Sequence, residues 1–361
     1  MKPVRPKVSV IVPTYNRASM LRICIEATLS QTMQDFELII VSDGSTDETE
    51  EVVRSYREPR ILFFEKENGG QAAARNLGIV NAKGKYIALC DDDDRFYPNH
   101  LSTLSVLLQR NPGLGLAYSD ARWCYQDCDR EPEIRYSQDF DKKALENFNY
   151  ITPVNVMFRK SCLQNRLLFN EDAVLKGLED WDFFLRLSDQ HPFLHIKKVT
   201  SEYNVHGKNS FHPASGYDYK SAFFLVRKQR FQYLHSKFGT SLFDHVDHMY
   251  PLYFVQCYLE NGKKEEGFEM ATKLQDLYML YAQKRNLKTS LTEIIILFSL
   301  GVSSFMAGSE EKAGFFFDQI STSSGFIGIK KQFCDFVGQY AGTASNARLK
   351  AMLIDSFSAL R

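Results

Sequence analysis

VSVIVPTYNR, residues 8–17, decides the fold. Val8–Val12 is rich in β-branched side chains, the pattern of a strand covered on both faces, and Pro13, which has no N–H for a ladder, is expected to stop it. Ala18–Gln31 then reads as an amphipathic helix with Leu21, Ile25 and Leu29 on one face. The same grammar repeats outward. Phe36–Val41 (FELIIV) is a second buried strand, followed by a Ser42-Asp43-Gly44-Ser45 loop. Thr46 or Asp47 is placed to cap a helix over Glu48–Tyr56. Arg60–Glu65 is a third strand, Asn68-Gly69-Gly70 a turn and Gln71–Asn81 a helix. Lys85–Cys90 is a fourth strand that runs into Asp91-Asp92-Asp93-Asp94. This alternation predicts an α/β domain with a parallel sheet. Such sheets bind ligands beyond the carboxyl ends of their strands.

From about Leu116 to Phe211 the pattern is mixed. Leu116–Tyr118 and Asn155–Phe158 read as strands, and Asp180–Ser188 as a helix entered by acidic residues, which suits its N-terminus. Beyond about Tyr217 only helices are expected, so the division is a domain over residues 1–216 and an all-helical extension over 217–361. Within that extension Leu297, Leu300, Gly301, Gly308, Ala313 and Phe317 fit one tetratricopeptide-like hairpin. A weaker copy ends its first helix at Asn261-Gly262.

Lys+Arg and Asp+Glu both total 44, so the net charge is zero and no nucleic-acid partner is expected. The seven cysteines sit mostly in apolar runs, as buried free thiols do. Cys124 and Cys128 have no second pair near them, which argues against zinc. Met1 to Lys7 lacks the apolar core of a signal peptide, and the longest apolar run, Ile294–Val302, is far short of a membrane span. The expectation is a cytoplasmic protein.

The chemistry lies in the polar residues at strand ends. Four successive aspartates at a buried strand end repel one another and raise each other's pKa. A divalent cation relieves that, and an all-oxygen setting suits Mg²⁺ or Mn²⁺. There is no G-x-G-x-x-G after the first strand and no G-x-x-x-x-G-K-[ST], which sets aside dinucleotide and P-loop sites.

Taken in order, SVIVPTYNR (9–17), VSDGSTDET (41–49), NGGQAAARNLG (68–78), the aspartates at 91–94, Glu179-Asp180-Trp181-Asp182 and Tyr203-Asn204-Val205-His206 resemble glycosyltransferase family 2 over roughly residues 7–212. The resemblance implies a GT-A fold and an inverting, metal-dependent transferase that uses a nucleotide-sugar donor, UDP-linked in most members. It implies that Pro13 and Tyr15 hold the base, Asp43 accepts its imide N–H, and Arg75 lies near base or diphosphate. Asp91, with Asp92 as the alternative register, contacts ribose. Asp93 binds the metal, with His206 beside metal or diphosphate. Asp180 is the implied catalytic base. Glu179 orients donor or acceptor, and Trp181 either stacks on a sugar or sits in the core. Ser210 and His212 fall on a segment expected to close over the donor. His245 and His248 read as structural. The implied acceptor is a glycan or lipid-linked saccharide, presented at the inner face of the plasma membrane. The helical extension is then available for acceptor binding, peripheral membrane docking or homo-oligomer formation. The competing reading is a catalytically inactive GT-A domain that serves as a binding module.

Overall fold

The computed structural model describes residues 5–322, apart from residues 127, 128, 165, 166, 208, 210–217, 248, 286, 288–290, 307 and 308. Cys128, Ser210, His212, His248, Gly308 and Cys334 lie outside the described residues. The chain divides into two compact units, Met1–Ala222 and Phe223–Arg361.

In chain order the first unit contains β1 (Val8–Thr14), α1 (Ala18–Leu29), β2 (Phe36–Ser42), α2 (Thr49–Ser55), β3 (Ile61–Glu65), α3 (Gln71–Asn81), β4 (Tyr86–Leu89) and β5 (Arg95–Phe96). It continues with α4 (His100–Arg110), β6 (Leu116–Tyr125), β7 (Glu133–Arg135), α5 (Lys142–Asn147), β8 (Val156–Arg159), α6 (Glu179–Ser188) and β9 (Phe193–Val205). The strands form one sheet in the order β3-β2-β1-β4-β8-β6-β9-β5, with β7 paired to β6. The first four strands are parallel, as expected. Beyond them the sheet is mixed, because β8 enters antiparallel between β4 and β6. β6 and β9 are far longer than their apolar cores suggest. They pair in parallel from Leu116↔Phe193 to Tyr125↔Val205 across a register irregularity at Ser119–Ala121.

Every residue of β1 and β2 is buried. Fully burying each of their Val, Leu and Ile side chains contributes roughly 1.5–3 kcal/mol. β1 does not stop at Pro13 but continues to Thr14. Ile11 receives the Cys90 N–H on its β4 side, and Thr14 receives the Asp43 N–H on its β2 side. Main-chain groups alternate sides, so Pro13 faces the β4 edge, where pairing has ended at Ile11↔Leu89. Its missing N–H therefore breaks no bond. Asp47, outside α2, accepts the N–H groups of Thr49 and Ala18 and so ties the starts of α2 and α1 together.

The second unit is helical: α7 (Tyr219–Phe238, which begins in the first unit), α8 (Tyr250–Glu260), α9 (Lys264–Arg285), α10 (Leu291–Met306) and α11 (Glu310–Thr322). α8 ends at Asn261-Gly262, with Gly262 at φ 73°, the left-handed geometry glycine allows after a helix. In the hairpin of α10 and α11 a Cβ on Gly301 would lie 2.3 Å from the Phe317 ring, so the absent side chain sets the helix spacing. Five described cysteines (24, 90, 124, 162 and 257) are free thiols. Among the described residues no helix is long and apolar enough to cross a membrane.

Candidate functional site

Three strand ends and one helix start converge in the first unit. At the end of β1 the Thr14 hydroxyl donates to Asp92 Oδ2 at 2.7 Å. Asn16 takes φ 52°, which asparagine tolerates. Its N–H reaches Ser45 Oγ and its carboxamide oxygen accepts the Thr46 N–H, joining the β1 and β2 loops. At the end of β2, Asp43 accepts from Lys66 Nζ at 2.8 Å and from the N–H groups of Gly69 and Gly70 at 2.9 and 2.8 Å. Gly70 sits at φ 90°, which leaves the start of α3 free to turn its N–H onto that carboxylate.

The four aspartates after β4 have different sets of partners, with Arg17 shared between Asp92 and Asp93. Asp91 pairs with Arg75 at 2.7 Å. Asp92 receives Arg17 at 3.0 Å as well as Thr14. Asp93 Oδ2 receives Arg17 at 2.8 Å and lies 3.1 Å from His206 Nε2, with the Asn209 amide at 3.3 Å. Asp94 accepts the Asn204 N–H at 2.9 Å, while its second oxygen is buried without a partner. Burial and then the neighbouring Asp93 push the Asp92 carboxyl up to about 7, against Arg17 and Thr14. Burial, Asp93 and Asp91 raise Asp94 well above the usual carboxylate range. Burial opposes the charge on Arg17, but Asp92 and Asp93 outweigh it and raise its pKa. The mutual repulsion read from the sequence is present, and Arg17 and Arg75 offset part of it.

At the start of α6, Glu179 accepts from Arg75 at 2.9 Å and keeps one buried oxygen without a partner. Asp180 Oδ1 accepts the Trp181 N–H at 2.7 Å, and Oδ2 accepts the Asn149 amide at 3.1 Å. Burial and then Glu179 push the Asp180 carboxyl up to about 7, with Arg75 opposing.

These elements border a cleft of about 640 Å³, within the size range of small-molecule sites. Its walls include Pro13, Tyr15, Arg17, Asp43, Asp92 and Glu179. Tyr15 is 48% exposed, with a ring face available for stacking. Arg75 is not a cleft wall: at 2% exposure it bridges Asp91 and Glu179 beneath it. Asp93 and His206 meet although 113 residues apart. Trp181 has no exposed surface and gives its indole N–H to the Leu145 carbonyl at 2.8 Å, so it fills the core and offers no face to a sugar. Among the described residues no group of three or more His, Cys, Asp or Glu is arranged to hold a metal ion.

Thr14, Lys66, Asn149 and residues 170–173 also shape the site and were not singled out from the sequence. Arg17 was quoted only as part of its strand end. Tyr136, at φ 55°, stands in a conformation uncommon for a bulky residue; its hydroxyl pKa is raised by burial and then by Asp180.

Residues 9–167 match the family model described as glycosyl transferase family 2. An uncharacterized glycosyltransferase of Rickettsia typhi (strain ATCC VR-144 / Wilmington) is 30% identical over 214 residues, 58% of this chain and 65% of the relative. Chondroitin synthase of Pasteurella multocida (strain Pm70) is 29% identical over 247 residues, 67% of this chain and 25% of the relative. The chain thus spans less than two thirds of either relative's length. The crystal structure of S. aureus TarS 1-349 superposes with a TM-score of 0.53 at 17% identity, covering 85% of this chain and 88% of that one. At that identity the likeness shows the fold, which is of the GT-A type with a helical C-terminal part. Residues 9–167 of this chain belong to glycosyltransferase family 2.

Proposed function

We propose that this chain transfers a sugar from a UDP-linked donor to a hydroxyl of a glycan or lipid-linked acceptor, with inversion at the anomeric carbon. The observation that carries the reading is the meeting of Tyr15, Asp43, Asp92 and Glu179 around one cleft, with Asp180 next in sequence to Glu179. One relative is named chondroitin synthase, and TarS has been crystallised with UDP and with UDP-GlcNAc. Both support a nucleotide-sugar donor.

In this reading the Tyr15 ring stacks on the base, and Asp43, preset by Lys66, Gly69 and Gly70, accepts the imide N–H. Asp91 or Asp92 takes the ribose. Asp93 and His206, a carboxylate and an imidazole nitrogen 3.1 Å apart, would hold Mg²⁺ or Mn²⁺. Bound there, such a cation would supply positive charge to offset that of the departing nucleoside diphosphate. Asp180 takes the proton of the acceptor hydroxyl. The freed oxygen pair attacks the anomeric carbon while the bond to the diphosphate oxygen breaks on the opposite face, and that single displacement inverts the centre. Glu179 orients donor or acceptor. The setting is the cytoplasm, with lipid-linked acceptors met at the inner membrane face.

The test is a donor screen of UDP-, GDP- and dTDP-sugars with Mn²⁺ or with chelator, reading thermal shift and slow release of nucleoside diphosphate. Metal-dependent stabilisation by UDP-sugars with release of UDP is expected, and Asp180→Asn should keep the stabilisation and lose transfer. A folded protein that answers no donor would overturn the reading in favour of a binding module.

A further inference from the structure

Asn149 lies in the loop between α5 and β8, outside every motif quoted above. Its carboxamide is held at both ends. Oδ1 accepts the Ile151 N–H at 3.2 Å, and Nδ2 donates to Asp180 Oδ2 at 3.1 Å. The first contact settles which end is oxygen, so the second is a donor aimed at the carboxylate. The loop is itself anchored beside α6. The Tyr150 hydroxyl accepts the Asp141 N–H at 2.9 Å and donates to the Asp141 carbonyl at 2.8 Å. The Trp181 indole N–H binds Leu145 of α5. The segment that carries Asn149 is thus pinned to the residue that follows Asp180.

The charges around Asp180 are mostly of its own sign. Glu179 on its own helix and Asp91 after β4 oppose its ionisation, as does its burial. Arg75 from α3 favours it, and the phenol of Tyr136, after β7, is a further titratable neighbour. Two N–H donors supplement Arg75: Trp181 on Oδ1 and Asn149 on Oδ2. Each oxygen therefore has one donor in place.

We infer that Asn149 is a positioning residue for the transfer reaction: its amide fixes the Asp180 carboxylate in one orientation and favours the ionised form that receives the acceptor's proton. The inference rests on the reading of Asp180 as base. Removing a donor from a carboxylate stabilises its protonated form, and one hydrogen bond to a charged group corresponds to about 1–2 pH units. Asn149→Asp keeps size and the acceptor for Ile151 but sets an anion against Asp180. Asn149→Ala removes the donor, together with the acceptor for Ile151, and adds no charge.

The experiment measures kcat/KM for the acceptor against pH in the parent and both variants, with UDP affinity by titration calorimetry in each. The acid limb is expected to move up by about 1–2 pH units in Asn149→Ala and further in Asn149→Asp, with UDP affinity within twofold of the parent. Asn149→Ala should recover most of its activity on the alkaline plateau. Limbs that stay at the parental pH in both variants, while Asp180→Asn abolishes transfer, overturn the role of Asn149 and leave the base standing. If Asp180→Asn transfers sugar with the parental profile, the base reading fails and this inference falls with it. If one variant does not fold, as judged by UDP binding, the other decides.

Discussion

Replacing Arg75 with methionine removes a guanidinium buried beneath the cleft while keeping most of the side chain's bulk. The guanidinium makes charge-assisted bonds of 2.7 Å to Asp91 and 2.9 Å to Glu179, whose side chains are 16% and 6% exposed. It also lies over the Phe169 ring at 5.4 Å. Breaking a buried pair by deleting one partner costs about 3–5 kcal/mol, because the other charge stays buried without compensation. That is a large share of the roughly 5–15 kcal/mol by which a domain is stable. Loss of the cation lifts Asp180 above about 7, since Arg75 opposes its upward shift. A carboxyl whose folded pKa exceeds its unfolded value costs stability above that pKa and recovers it as pH falls. The deficit of Arg75→Met should therefore be about 3–5 kcal/mol at pH 8 and clearly smaller at about pH 5.5. The assay is urea unfolding followed by tryptophan fluorescence. The chain's two tryptophans, Trp123 and Trp181, both belong to the first unit, so the signal reports that unit alone. A deficit under about 1 kcal/mol at pH 8, or one that grows as pH falls, would refute the reasoning.

The remaining predictions concern other parts of the molecule. Asp43→Asn keeps shape but loses the charge that the base and Lys66 meet; UDP affinity by calorimetry should fall about 10–100-fold, and an unchanged affinity would exclude Asp43 from base recognition. Because burial and Glu179 push Asp180 up to about 7, the parental kcat/KM for acceptor should fall about tenfold per unit below that pH and level off above it. A flat profile between about pH 5.5 and 8 would count against the base. Gly301→Val drives a side chain into the Phe317 ring, where a Cβ already meets carbon at 2.3 Å. It should cost about 1–3 kcal/mol in the helical unit, seen as earlier loss of far-UV circular dichroism, while the tryptophan transition stays in place.

The local signals were legible because they are short-range. Buried strands such as Val8–Val12 and Phe36–Val41 announce themselves by composition, and the acids that follow them are fixed by chain continuity to the strand ends. Gly262 could also be read as the end of a helix, whereas the approach of Phe317 to Gly301 appears only in the folded hairpin. Pairing was less accessible. A period of two says which residues of a strand are covered, not which strand covers them. The antiparallel entry of β8 between β4 and β6, and the full length of β9, therefore appear only in the sheet. The exposed residues of β9, Lys197 and Lys198 among them, hid its length.

The amino-acid sequence alone was enough for the alternation of strands and helices from β1 to β4, the helical tail and the set of acids at the strand ends. Tertiary structure decided how those acids are used. It alone brings His206 to Asp93 and Arg17 to the same oxygen, turns Arg75 inward between Asp91 and Glu179, buries Trp181 and places Asn149 on Asp180. The physical reason is that each of these contacts joins residues on different elements, and a side chain's charge state and partner depend on what the fold packs around it.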